Sequence, residues 1–166
     1  MVNKPKSRAL TLVELLVVIA VVGVVGSVGY GVLLKMLQFY YLSAARVDIQ
    51  RELRITLDNM DRTLRQASAA SLKITENAGE PPYSKMTLTT VEGSSVTYSQ
   101  SGHQLIQSVG SNQKILTQNL RYIAFTYPQT DVNSVVSVSI TLEKKTFSGR
   151  TTALQMAITK VRVMNP

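Results

Sequence analysis

Apolar and polar positions divide this chain into three stretches with different periods. Residues 15–34 are 20 positions without a charge and apolar on every side, enough to span the roughly 30 Å hydrocarbon core of a bilayer as one helix. From residue 36 the pattern changes. Ile49, Leu53, Leu57, Met60, Leu64 and Ala67 recur every three or four places among charged residues, the stripe of an amphipathic helix. No Pro or Gly interrupts residues 32–72, so one helix is expected over residues 12–72, ended by the turn-rich ENAGEPP of residues 76–82. Beyond that turn the period falls to two. Met86, Leu88 and Thr90 alternate with polar neighbours, as do Val96 and Tyr98, and a turn at Ser101 and Gly102 precedes Leu105 and Ile106. Ile115 with Leu116 and the aromatic run of residues 122–127 mark two further short strands. The clearest strand sets Val136, Val138, Ile140 and Leu142 against Ser137, Ser139 and Thr141. In the last one Leu154, Met156 and Ile158 share a face while Val161 and Val163 take the other, which predicts a bulge or a sheet covered on both sides. The expected class is α+β: a long N-terminal helix, apolar in its first half and amphipathic in its second, packed on an antiparallel β-sheet head.

Charge adds direction to this plan. The chain has 166 residues, 18 of them Lys or Arg against 10 Asp or Glu, a net charge of +8. Lys4, Lys6 and Arg8 stand ahead of the apolar run with no acid among them, the arrangement that keeps the N-terminus cytoplasmic and carries the chain beyond Lys35 to the outer side. The run is longer than the roughly 7 to 15 apolar residues of a removable secretory signal, so cleavage beyond it is not expected. Tyr30, Phe39, Tyr40 and Tyr41 read as an aromatic belt at the outer interface. The arginines of the amphipathic stretch, Arg46, Arg51, Arg54, Arg62 and Arg65, alternate with Asp48, Glu52, Asp58 and Asp61. That is a mixed, solvated face with two i,i+4 pairs, Asp58 with Arg62 and Asp61 with Arg65, and no nucleic-acid partner is expected.

One residue does not fit a plain anchor. Glu14 stands directly before the apolar run, and a carboxylate at the centre of a membrane helix costs about 2.5 to 3.5 kcal/mol, less near an interface. Two accounts are open. Glu14 sits in the headgroup region as an acid favoured by the helix dipole, or it meets a fixed cation, Arg8 being the nearest.

Other chemistry is sparse. There is no Cys, which excludes thiol catalysis and Cys-based zinc sites. His103 is the only histidine, in a Ser/Gly/Gln turn, and reads as a solvated loop residue without catalytic partners. Glu76, Glu80, Glu92, Asp131 and Glu143 have no paired or EF-hand spacing, and the glycines form no phosphate loop. No catalytic residue, metal ligand or cofactor is expected, and the chain does not read as an enzyme.

Taken together, Lys6, Ser7, Arg8, Ala9, then Leu10, Thr11, Leu12, Val13 and Glu14 ahead of an unbroken apolar helix resemble the processing site of the type IV pilin and pseudopilin superfamily. The resemblance implies a leader, residues 1–9, cut by a prepilin peptidase between Ala9 and Leu10, with Leu10 N-methylated and Glu14 as the assembly acid. Ala9 and Leu10 replace the Gly and Phe usual at the cut. The Pro common in major pilins is absent, and Gly23, Gly26, Gly29 and Gly31 cluster instead, either as a place for local unwinding or as a small-residue packing face. The implied organisation is an apolar transmembrane and assembly helix over residues 10–35, an amphipathic stem over residues 36–72 and a periplasmic or extracellular sheet head over residues 73–166. The protein would be single-pass in the bacterial inner membrane. Implied partners are other pilin or pseudopilin subunits through the apolar helix, the peptidase, an inner-membrane assembly platform, and lipid before assembly. Segments of the stem and head, among them VTYSQSGHQL and VRVMNP, resemble minor subunits of the J type in type II secretion and the PilW-like minor pilins. The function implied is a minor subunit at or near the tip of a type II secretion pseudopilus or type IV pilus. The alternative is an unprocessed, signal-anchored periplasmic binding or interaction domain.

Overall fold

A computed structural model describes residues 11–128, 134–146 and 152–165 of the chain, which separates into two units, Met1–Tyr40 and Tyr41–Pro166. The first helix, α1, is Leu12–Arg65. Within the first unit it is unbroken through Gly23, Gly26, Gly29 and Gly31, and a Cβ added at any of the four would meet nothing within 4 Å. In the single chain, then, these glycines neither unwind the helix nor seat a neighbouring side chain. The serine hydroxyl of the run is satisfied internally, Ser27 Oγ donating to the Val24 carbonyl at 2.8 Å.

In the second unit α1 turns one stripe inward. Ala45, Ile49, Leu53, Thr56, Met60 and Leu64 are buried, close to the expected set. Thr56 takes the position expected of Leu57, which is only half-buried. The Thr56 hydroxyl has no hydrogen-bond partner among the described residues, which costs about 1–3 kcal/mol for a buried polar group. Of the two expected helical ion pairs only Arg65 with Asp61 is formed, at 2.8 Å.

The strands that cover the stripe form two antiparallel meanders rather than one sheet. The first pairs β1 (Lys73–Thr75), β2 (Lys85–Thr89), β3 (Ser95–Ser101), β4 (Gln104–Val109) and β5 (Asn112–Thr117) in chain order. The second pairs β6 (Leu120–Thr126), β7 (Val135–Lys145) and β8 (Thr152–Arg162). Between β3 and β4, Ser101 pairs with Gln104, leaving a two-residue turn whose first residue, Gly102, has φ +57. A right-twisted hairpin needs positive φ there, and only glycine adopts it without strain.

Polar links join the two sheets. Gln100 is 3% exposed; its Oε1 accepts from the Ile123 amide at 3.1 Å and its Nε2 donates to the Gly102 carbonyl at 3.2 Å. The Phe125 amide donates to the Tyr83 carbonyl at 2.9 Å. His103 is exposed as expected, but its ring Nδ1 lies 3.1 Å from the Leu120 carbonyl, so it holds the β3–β4 turn to the start of β6. Tyr98 lies wholly inside, its hydroxyl accepting from Gln107 Nε2 at 3.1 Å, and burial pushes its pKa up. A phenol whose folded pKa is raised stabilises the fold below its unfolded pKa, and that contribution is lost as pH rises through the folded one. Head stability is therefore expected to hold through neutral pH and fall above about pH 10. Urea titrations at several pH values check this, and Tyr98→Phe should make the alkaline fall shallower.

Two expectations change. The stem does not stay helical to Leu72, because α1 ends at Arg65. No Pro or Gly stops it. Instead the next backbone groups are claimed by the end of β2, the turn after it and the segment after β8: Ser68 N–H donates to the Thr89 carbonyl at 3.0 Å, Val91 N–H to the Gln66 carbonyl at 3.0 Å and Ala69 N–H to the Asn165 carbonyl at 2.8 Å. A single turn of 3₁₀ helix, Ala69–Ser71, then leads into β1. The second change concerns β8. Its register with β7 runs from Val135 with Arg162 to Lys145 with Thr152 without a shift, so there is no bulge. Because Val136, Val138, Ile140 and Leu142 must face the core, pairing carries Val161, Thr159, Ala157 and Gln155 to that same face. Leu154, Met156 and Ile158 are turned outward and are 52%, 61% and 60% exposed. The result is the anticipated α+β, pilin-like architecture of a long N-terminal helix packed on antiparallel sheet.

Candidate processing and assembly site

The first turn of α1 is built by Thr11 and Glu14. An α-helix leaves its first N–H groups without internal partners, and a threonine just ahead of the helix satisfies one of them. Thr11 Oγ1 accepts from the Glu14 backbone N–H at 3.3 Å, and the Thr11 carbonyl accepts the first helical bond from Leu15 N–H at 3.1 Å. Glu14 is thereby fixed as the third helical residue, the acid of the first turn, where the helix dipole favours a negative charge. Thr11 was not singled out from the sequence, yet its signal was present: Thr-x-x-Glu directly ahead of an apolar run is the spacing of a capping box.

Apart from Thr11, the described helix residues flanking Glu14 are apolar. Leu12, Val13, Leu15 and Leu16 are all exposed in the single chain, and so is the helix surface through residue 40. α1 is long and apolar enough to cross a membrane. From Glu14 to Lys35 is 21 helical steps, about 32 Å at 1.5 Å each, which matches one hydrocarbon core. Phe39, Tyr40 and Tyr41 lie about 6 to 9 Å further along the helix than Lys35 and Tyr30 about 7 Å before it, so the four aromatics bracket that boundary.

Lys4, Lys6, Arg8, Ala9 and Leu10 lie outside the described residues, as does Asp131. Of the sequence-predicted site, the structure therefore places Glu14 alone, and it adds Thr11 beside it. Among the described residues no group of three or more His, Cys, Asp or Glu is arranged to hold a metal ion.

A search of curated proteins finds no match to the chain. Residues 4–30, about a sixth of its length, match the family described as the Prokaryotic N-terminal methylation motif, the signature of type IV pilins. That motif implies processing by a prepilin peptidase and assembly with other pilins, and it points to a structural subunit rather than an enzyme. With one apolar N-terminal helix it is compatible with a single-pass, membrane-anchored protein. The matched segment, the capped Glu14 at its centre and the pilin-like fold together support a type IV pilin-like or pseudopilin subunit.

Proposed function

We propose that the chain is a minor pilin or pseudopilin, inserted in the inner membrane as a precursor with its head in the periplasm. A prepilin peptidase cuts between Ala9 and Leu10, Leu10 is N-methylated, and the mature subunit enters a type II secretion pseudopilus or type IV pilus at or near its tip. The observation that carries this is the motif match over residues 4–30. The J-type or PilW-like assignment is the finer proposal and stands on the likeness of the stem and head segments.

The chemistry of the cut supplies the reason for Glu14. Hydrolysis before Leu10 exposes an α-amine one residue ahead of the Thr11 cap, and N-methylation leaves it basic. Amine and carboxylate are each costly to bury. At about 4 Å and an effective dielectric near 20 they attract by roughly 4 kcal/mol, which offsets a desolvation penalty of several kcal/mol per ion. Matched between neighbouring subunits, the pair sets register along the fibre more than it adds stability. Removing the leader takes three basic residues and no acid, lowering the net charge to +5.

The N-terminal mass of membrane-extracted protein, expressed with and without a prepilin peptidase, tests this. A peptide beginning at N-methylated Leu10 is expected only when the peptidase is present. An intact terminus in both preparations would overturn the proposal in favour of an unprocessed anchor, with Lys4, Lys6 and Arg8 as topology signals only.

A further inference from the structure

The outer edge of β8 is a template for another strand. β8 ends the three-stranded sheet, so along Thr152–Arg162 one side of its backbone has no strand partner among the described residues. Sheet edges are normally blunted by Pro, a bulge, charged side chains, shortness or a covering helix, and here the only charges are Lys160 and Arg162 at one end. This edge is 11 residues long, pairs in unbroken register with β7, and contains no Pro. The residues it turns toward α1 are Ala153, Gln155, Ala157, Thr159 and Val161, none of them charged. The residues turned outward begin with the exposed apolar row Leu154, Met156 and Ile158 and end with Lys160 and Arg162. Neither Lys160 nor Arg162 has an ion-pair partner among the described residues.

Room for an added strand exists beside it. Between β8 and the helical stem opens a groove of about 680 Å³, walled by Gln155, Thr159 and Lys160 on the strand and by Leu57, Arg54 and Asp58 on the helix. Half-buried Leu57 lies in that groove beside Asp61 and Arg65, so inward side chains of an added strand would meet a mixed surface with an apolar spot at Leu57.

We propose that β8 is a docking edge for an extended segment of a different polypeptide, joined by β-strand addition. Its outward row would present apolar side chains opposite Leu154, Met156 and Ile158, followed by acidic ones opposite Lys160 and Arg162. Backbone hydrogen bonds supply the affinity in this mode and the alternating side chains supply the selectivity. The two unpaired cations at one end of the row select the acidic terminus and set the direction in which the segment lies. The inference concerns the head alone and stands whether or not the leader is cut.

The test uses full-length protein in detergent micelles and a short capped peptide with valine at three alternate positions, glutamate at the next two, and threonine between, made in both chain directions. Amide hydrogen exchange along β8 is expected to slow about tenfold with one of these peptides, since pairing protects backbone groups from solvent. Replacing the glutamates by lysine should weaken binding at least about tenfold. Met156→Lys with Ile158→Lys should abolish the protection while leaving the thermal unfolding curve unchanged, both side chains being exposed. Three results would overturn the proposal: β8 exchange unaffected by either peptide, equal binding of the lysine peptide, or β8 protection that grows with protein concentration without peptide, which would make the occupant a second copy.

Discussion

Glu14→Leu is expected to leave insertion and leader cleavage intact and to remove the protein from assembled fibres. The proposed cut lies four residues before Glu14, and leucine continues the apolar helix at no cost, so the precursor should enter the membrane and be processed as before. The change appears only when subunits pack. Without the Glu14 carboxylate, the N-methylated amine of a neighbouring subunit would be buried in hydrocarbon with no counter-ion, and breaking a buried pair in this way costs about 3–5 kcal/mol. At 1.4 kcal/mol per factor of ten, incorporation should fall by at least about a hundredfold. The fraction of protein recovered in sheared fibres, compared with the fraction processed in the membrane, separates the two steps. Wild-type incorporation of the leucine variant would show that Glu14 is only a first-turn acid. Thr11→Val bears on the same turn and should have a smaller effect, since losing a threonine cap costs about 0.5–2 kcal/mol and leaves the charge in place.

In the head, the largest loss is expected from Phe125→Ala. Phe125 is fully buried on β6 among the residues that meet the helical stripe, and its amide bonds the Tyr83 carbonyl across to the first sheet. Removing a buried phenyl group loses its transfer free energy and leaves a cavity, together about 3–5 kcal/mol. Against a total of about 5–15 kcal/mol for a domain, that consumes a large share. Urea unfolding should show the midpoint shift with little change in slope, provided the head unfolds as one cooperative unit. Met156→Ala makes the contrast. The side chain is nearly as large but faces solvent from β8, so its truncation should change stability by no more than about 0.5 kcal/mol. Equal losses for the two substitutions would mean that the outward row of β8 is covered in solution.

That contrast shows where sequence reading stops. Periodicity placed the helical stripe nearly residue for residue and located four strands, β2, β3, β7 and β8, by alternation, because burial on one face leaves a local mark, while β4, β5 and β6 showed as short apolar or aromatic runs. It did not say which face of β8 is the inner one. Both rows of that strand contain apolar residues, and Leu154, Met156 and Ile158 are larger than Ala153, Ala157 and Val161. The inner row is chosen by register with β7, whose own apolar row is unambiguous. The end of α1 was hidden for a related reason. Residues 66–72 have good helical composition, and it is hydrogen bonds to Thr89, Asn165 and Val91, distant in sequence, that take the backbone out of the helix. β1, three residues between the expected end of the stem at Leu72 and the ENAGEPP turn, is too short to show an alternation, and Thr56 in the buried stripe depends on how the helix is rotated against the sheets.

The N-terminal motif was more legible than the fold around it. The motif matched over residues 4–30 is linear, and under the proposed function its residues Lys4, Lys6, Arg8, Ala9, Leu10 and Glu14 would be read before any tertiary structure exists, so adjacent residues carry it. The Thr11 cap is equally local, one turn of backbone with its own side chain. The amino-acid sequence by itself thus determined the motif, the apolar helix, the α+β class and most of the buried positions, all of which depend on residues within a few turns or strand steps of one another. Tertiary structure alone decided the division of the strands into two sheets, the buried Gln100 link between them, the stop at Arg65 and the exposed edge of β8. Each of those rests on pairing between segments far apart in the chain, and hydrogen-bond register between such segments leaves no trace in the local pattern of either.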